Sequence, residues 1–262
     1  PNLTLALGTG QVTPLEMARG FAVFANGGAL VTPYFIQSVQ DPGGKTLFEA
    51  EPARACALCD FDAAGESAAA VAADLAAVPD DVPAAASTAD GVTRAPQAIS
   101  PANAFVMTDM MTDVVQRGTA QRAATALNRK DIAGKTGTTS DRRDTWFVGF
   151  NADIAAAVWL GFDQERSLGE NEEGGKTALP MWIYFMQEAL RDKPEHRQPE
   201  PPGVVRTWVS RESGAPTRAG APGALFETFL EQYAPQPGMG SFSDDGVGAE
   251  TLEPAATVES IF

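Results

Sequence analysis

Three extended segments crowd into positions 131 to 162, and they constrain the fold more than any other feature of the chain. They are Asp131 to Thr139, Thr145 to Phe150 and Ile154 to Phe162. Only Asn151-Ala152-Asp153 separates the last two, short enough for a hairpin loop, so an antiparallel sheet segment is expected. Helical patterns flank it. Thr13-Pro14-Leu15-Glu16 is a helix start with a capping residue, a Pro at the first position and a Glu that completes a capping box. Leu15, Ala18, Ala22 and Ala25 recur at helical spacing, and Asn26-Gly27-Gly28 stops the run. Ser100-Pro101 opens a second helix, with Met107, Met110, Met111 and Val114 as its expected apolar stripe and Arg117-Gly118 as its end. A third is expected from Ala178 to Arg191, burying Leu179, Trp182, Ile183 and Met186. Leu30 to Val39 reads as extended, Asp41-Pro42-Gly43-Gly44 as a turn and Lys45 to Glu49 as a hairpin partner. The class is therefore α/β in the broad sense: α+β, or a layered α/β/α arrangement.

The chain's 262 residues are 44% hydrophobic and carry a net charge of -15. A core is within reach, and global disorder is excluded. The acidic excess argues against general nucleic-acid binding, which needs a basic footprint, and against broad adhesion to anionic lipid. Residues 41–94 hold ten acids and three bases, and residues 195–262 hold ten acids and four bases. The stretch 63–95 reads as a low-complexity insertion, and the tail from Pro235 as disordered. Positions 117–143 reverse the sign, with seven bases and two acids. Such a local positive field suits a small anion such as a carboxylate.

Inside that basic stretch lies Gly134-Lys135-Thr136-Gly137-Thr138-Thr139. A phosphate loop would need Gly where Arg129 stands and a helix beginning at the Lys, which Gly137-Thr138-Thr139 disfavours. An edge strand at the rim of a cleft accounts for the residue types instead. Lys135 supplies positive charge. The hydroxyls of Thr136 and Thr138 can bind a carboxylate. Gly137 clears space for another backbone, and the amide just after it can point at a developing oxyanion. Lys-Thr-Gly is also a signature element of penicillin-binding proteins and serine β-lactamases.

Four further ordered stretches carry the same resemblance: 12–28 (Val12-Thr13-Pro14 through Gly27-Gly28), 98–120 (through Gln116-Arg117-Gly118-Thr119-Ala120), 144–150 (Asp144-Thr145-Trp146-Phe147-Val148-Gly149-Phe150) and 158–163 (Val158-Trp159-Leu160-Gly161-Phe162-Asp163). With the strand at 133–139, they make the chain resemble the class A penicillin-binding proteins, 1A type, over most of its length. The resemblance implies the β-lactamase/penicillin-binding transpeptidase fold, incomplete in this chain, and a serine acyl transfer that cross-links peptidoglycan stem peptides. It implies that Lys135 and the backbone amide of Thr138 are catalytic, that Lys135, Thr136, Gly137 and Thr138 bind substrate or β-lactam, and that no cofactor or metal is needed. The expected partners are stem peptides and β-lactams, with lipid-linked precursor and membrane for the full-length protein and no nucleic acid. The expected location is the periplasmic face of the bacterial inner membrane. Residues 1–194 would be the C-terminal part of the transpeptidase domain, 195–234 a trailing segment and 235–262 an acidic tail.

One departure is large. No Ser in the chain is followed by Lys three residues on or by Asn two residues on, so the nucleophile, its base and the Ser-x-Asn element of the family are missing. The chain opens on Pro1 without a basic leader, and no apolar run approaches the roughly 20 residues of a membrane span. The expectation is a piece of a longer protein, inactive alone and poorly stable because uncovered apolar surface remains. The rivals are a non-catalytic binding or scaffold module of the same fold, and a soluble carboxypeptidase or β-lactamase relative.

Other residues draw less chemistry. Cys56-Ala57-Leu58-Cys59 lacks the four ligands of a zinc site and reads best as a local disulfide in an oxidising compartment. His196 reads as an exposed surface residue, and Asp144 as a turn residue paired with Arg142-Arg143.

Overall fold

The structure is a computed structural model that describes residues 10–55, 86–87 and 93–236. The expectations for Cys56 and Cys59, for most of the acidic insertion and for the tail beyond residue 236 lie outside the described residues. The chain divides into two compact units between Pro202 and Gly203.

The first unit begins with α1 (Pro14–Ala25), whose capping box is complete. Thr13 Oγ1 accepts from the Glu16 N–H, and the Glu16 carboxylate accepts from the Thr13 N–H at 2.7 Å. That backbone bond, with the Thr13 hydroxyl, holds the Glu16 carboxyl below its ordinary pKa. Thr13→Ala is expected to cost about 1 kcal/mol, read as a lowered midpoint in thermal unfolding. Gly28 stops the chain beyond α1 at φ +104, and a Cβ there would lie 2.2 Å from the Ile99 carbonyl oxygen. Only Gly permits this approach, which lets the Ala98 N–H donate to the Gly28 carbonyl at 2.8 Å.

A small exposed hairpin follows, β1 (Ser38–Gln40) with β2 (Thr46–Glu49). It is shorter than the extended run expected from Leu30. Its turn forms as expected, because Asp41 Oδ1 accepts from the Gly43 and Lys45 amides, both at 2.9 Å. A minimal pair, β3 (Ala86–Ser87) and β4 (Thr93–Arg94), leads to α2 (Pro101–Arg117), capped by Ser100. The Met stripe departs from the expected burial. Met111 is buried, but Met107 and Met110 are 39% and 59% exposed. The inward line is Ala104, Thr108, Met111 and Val115, because Thr108 turns in to donate to the Ala104 carbonyl at 2.8 Å, with the Phe24 carbonyl of α1 3.3 Å away. The sequence pattern also overlooked α3 (Gln121–Leu127), a seven-residue helix with no side-chain cap, closed by Asn128 in the left-handed conformation.

The centre is an antiparallel meander of β5 (Ala133–Thr138), β6 (Asp144–Phe150) and β7 (Ala155–Gly161), with β6 in the middle. Its register runs from Ala133↔Phe150 to Thr138↔Thr145 and from Asp144↔Gly161 to Phe150↔Ala155. Alternation sends successive β6 side chains to opposite faces. Phe150 packs with Ala133, Ala25 of α1 and Met111 of α2. Phe147 meets Trp182 of α4 (Ala178–Ala189) edge-on at 5.0 Å between ring centres. Leu179, Trp182, Ile183 and Met186 are buried as expected, and the Trp182 indole N–H donates to the Ala156 carbonyl at 3.1 Å. The result is a three-layer sandwich, helix on sheet on helix.

The second unit is a hairpin of β8 (Val204–Ser210) and β9 (Ala224–Leu230), paired from Val204↔Leu230 to Ser210↔Ala224. Trp208 and Phe226 lie across it with ring centres 5.0 Å apart.

Candidate active site

Strand β5 forms one edge of the meander, and it carries the Lys-Thr-Gly stretch. Its first two residues, Ala133 and Gly134, are buried. From Lys135 onward it surfaces: Lys135 and Thr138 are exposed, Thr136 and Gly137 half-buried. Among the described residues its outer edge pairs with no strand, so it presents backbone donors and acceptors as well as side chains. Gly134 cannot be larger, because a Cβ would stand 2.8 Å from both the Phe147 ring and the Val148 oxygen. So β5 is anchored at its start and open from Lys135 onward.

Lys135 Nζ donates to the Thr136 carbonyl at 2.9 Å. Thr136 Oγ1 stands 3.0 Å from Thr119 Oγ1, in the link between α2 and α3. Thr138 Oγ1 accepts from the Gly174 N–H at 3.1 Å. Thr145, opposite Thr138 and fully buried, shares a 2.7 Å hydroxyl contact with Thr177 just before α4. The segment entering α4 thereby runs across the end of the sheet and supports β5 from one side. All four residues singled out from the sequence are thus neighbours on one strand. Thr119 and Gly174 are their unforeseen supports; the only sequence signal for Gly174 was a Gly-Gly pair ahead of a helix.

The tip joining β5 to β6 is tightly bent. Asp141 and Arg142 both take positive φ, 61° and 53°. Arg143 bonds Glu165 at 2.9 Å and Asp141 at 3.3 Å. Asp144 is not the arginine-paired turn residue expected from sequence. It is the first residue of β6, and its Oδ2 accepts from the indole N–H groups of Trp146 and Trp159 at 3.1 and 2.9 Å. Strand pairing explains this: Trp146 sits directly opposite Trp159, so both indoles reach the same carboxylate.

At the other end of the sheet lies a charged cluster without access to Lys135. Asp131 accepts from Arg129 at 2.6 and 2.8 Å, from the Asn151 amide at 3.2 Å and from the His196 N–H at 3.0 Å. Burial pushes the Asp131 carboxyl up, but these bonds and the Arg129 charge outweigh it and leave its pKa below the ordinary value. The bond to Asp131 in turn raises Arg129. Arg129 also donates to the carbonyls of Lys193 and Pro194. His196 is exposed, as expected, with Nδ1 3.0 Å from Asp153. This cluster straps residues 193–196 onto the sheet. Among the described residues no group of His, Cys, Asp and Glu is arranged to hold a metal ion, and no helix is long and apolar enough to cross a membrane.

The architecture and the Lys-Thr-Gly edge define the class of transpeptidase-like domains. The family model described as penicillin binding protein transpeptidase domain matches residues 2–178. The chain belongs to that family. It is 42% identical over 250 residues to penicillin-binding protein 1A of Pseudomonas aeruginosa, covering 89% of this chain and 29% of that protein. It is 37% identical over 261 residues to penicillin-binding protein 1A of Neisseria meningitidis serogroup A, covering 98% and 27%. Among solved structures, penicillin-binding protein 1A of Haemophilus influenzae superposes with a TM-score of 0.74 at 34% identity, over 89% of this chain and 34% of that one. The chain thus spans less than a third of the length of these curated relatives.

Proposed function

We propose that this chain forms the Lys-Thr-Gly wall of the acylation site of a peptidoglycan D,D-transpeptidase of the bifunctional, 1A type. The carrying observation is the exposed edge of β5, where Lys135 and Thr138 stand beside Gly137 within the stretch that matches the transpeptidase family. On this reading residues 1–194 are transpeptidase domain, with residues 195–234 trailing it. Nucleophile and base come from Ser-x-x-Lys and Ser-x-Asn elements that residues 1–262 do not contain.

The chemistry follows from the residue types. The serine oxygen attacks the penultimate D-Ala carbonyl of a stem peptide. The peptide C–N bond breaks, the departing D-Ala amine takes a proton, and an ester to the serine remains. An amine of a neighbouring stem then attacks that ester, and the serine regains its proton. The Thr138 amide and the nucleophile's own amide hold the oxyanion of each tetrahedral intermediate. Thr136 and Thr138 donate hydroxyl hydrogen bonds to the terminal carboxylate, and Lys135 supplies the positive field. A β-lactam enters by the same route. Its ring C–N bond opens, but the amine stays tethered and the ester persists. No cofactor or metal takes part. The whole protein would work at the periplasmic face of the inner membrane on lipid-linked precursor.

A fluorescent penicillin tests this directly. The whole gene product is expected to be labelled at a serine, and residues 1–262 alone are expected to stay unlabelled. Labelling of the isolated chain at a defined residue would overturn the placement of the nucleophile. A whole product that never labels would favour a non-catalytic module of the same fold.

A further inference from the structure

Two contacts behind β5 have no part in the chemistry above. Thr136 and Thr138 are two residues apart on a strand and share a face. Each hydroxyl meets a different support on that face: Thr119 Oγ1 at 3.0 Å for Thr136, and the Gly174 N–H at 3.1 Å for Thr138. The supports adjoin each other. A Cβ on Gly174 would lie 2.6 Å from the Gly137 oxygen and 2.4 Å from the Trp146 oxygen, so only Gly lets this turn reach the strand. A Cβ on Gly175 would lie 3.2 Å from the Thr119 carbonyl oxygen.

The donor count gives these contacts meaning. A hydroxyl has one hydrogen to give and two lone pairs to receive with, whereas a carboxylate only receives. A threonine can therefore serve a carboxylate only if its single hydrogen points at the ligand. Thr138 receives from a backbone amide, which cannot accept, so its own hydrogen is left for another partner. Thr136 meets a second hydroxyl, and either oxygen of that pair can donate.

We infer that Thr119 donates to Thr136 and acts as a positioning residue, matching the Gly174 amide behind Thr138, so that both β5 hydroxyls are turned to donate to an anionic end-group. This rests on the carboxylate-binding reading of Thr136 and Thr138. It assigns Thr119 to carboxylate recognition through Thr136 and not by direct contact.

The test compares benzylpenicillin with its uncharged methyl ester on the whole gene product, reading the acylation rate constant by intact-protein mass spectrometry. Thr119→Val keeps the shape and removes the hydroxyl. It is expected to slow benzylpenicillin about fivefold, the scale of one net hydrogen bond, and to leave the ester within about twofold of the parent protein. Thr119→Ser is expected to restore the parent rates. An unchanged acid-to-ester ratio in Thr119→Val, equal slowing of both probes, or a serine variant as slow as valine would each overturn the inference. Thr119 is exposed, so the fold is expected to survive; Thr119→Ala is read by the same criteria should valine disturb the link. Thr136→Val and Thr138→Val separate the two claims. If they lower the ratio and Thr119→Val does not, the positioning role alone fails. If they too leave it unchanged, the carboxylate reading itself fails.

Discussion

Lys135→Ala in the whole gene product is expected to slow acylation by a penicillin about 100-fold or more, the loss found when one preorganised electrostatic partner of an acyl-transfer site is removed. The ammonium is exposed, and its partner within the chain is a neutral carbonyl, Thr136 O at 2.9 Å. Among the described residues its charge is therefore not spent on a carboxylate and remains available to a ligand. Once a β-lactam and its neighbours exclude water, that charge acts through a lower dielectric and gains strength. Lys135→Arg retains the charge but replaces a compact ammonium with a wide planar fork, so it is expected to recover only part of the rate. Stopped-flow acylation of the three proteins by one labelled penicillin measures the effect. A rate for Lys135→Ala within about threefold of the parent would remove Lys135 from the acylation machinery, because that is less than one charge-assisted hydrogen bond contributes.

Asp131→Asn is expected to destabilise the first unit by about 3 kcal/mol, the lower end of the cost of breaking a buried ion pair from one side. Asp131 is fully covered at its side chain, and Arg129 is 10% exposed. The asparagine would leave the Arg129 guanidinium buried without its charge partner. It would also replace one of the two carboxylate oxygens with an NH2 group that cannot accept, so at least one of the Arg129, Asn151 and His196 donors would lose its receptor. For a unit of this size the shift in melting midpoint is about 6–12 °C. The pH dependence has a definite sign. The folded pKa of Asp131 lies below the unfolded one, so its contribution is present above the unfolded value and is lost as pH falls through the folded value. Thermal unfolding followed by near-ultraviolet circular dichroism should show the parent and variant converging as the solution is acidified. A variant that melts with the parent at neutral pH would mean the cluster contributes nothing.

Both effects arise on the same short strand and its immediate approach, at opposite ends. The register puts Ala133 against Phe150 beside the Asp131 cluster, and Thr138 against Thr145 beside the open edge. The buried end sets the strand's position. On the proposed reading, the exposed end then presents Lys135, Thr136 and Thr138 to the ligand without further adjustment.

Much of this was legible from residues alone. The Thr13–Glu16 capping box, the Ser100 cap, the inward face of α4 and the three central strands all depend on spacings of two to four residues, which a linear reading detects. The Lys-Thr-Gly edge was legible for the same reason. The failures had other causes. Helix α3 has no capping side chain and only seven residues, so nothing local marked it. Met107 and Met110 had the right spacing to be buried, but the neighbouring line of Ala104, Thr108, Met111 and Val115 faces the core instead. Asp144 had arginines beside it in sequence, yet its partners are two indoles, one of them fifteen positions away.

Periodicity and residue type over a few positions dictate the alternation of helices with a three-stranded meander and the chemical character of residues 134–139. Which groups stand behind that strand is set by packing. The Thr119 hydroxyl and the Gly174 amide reach it from 17 and 36 positions away. Contacts of that range depend on how helices and sheet pack, and no local preference of the chain encodes which hydroxyl will meet which donor.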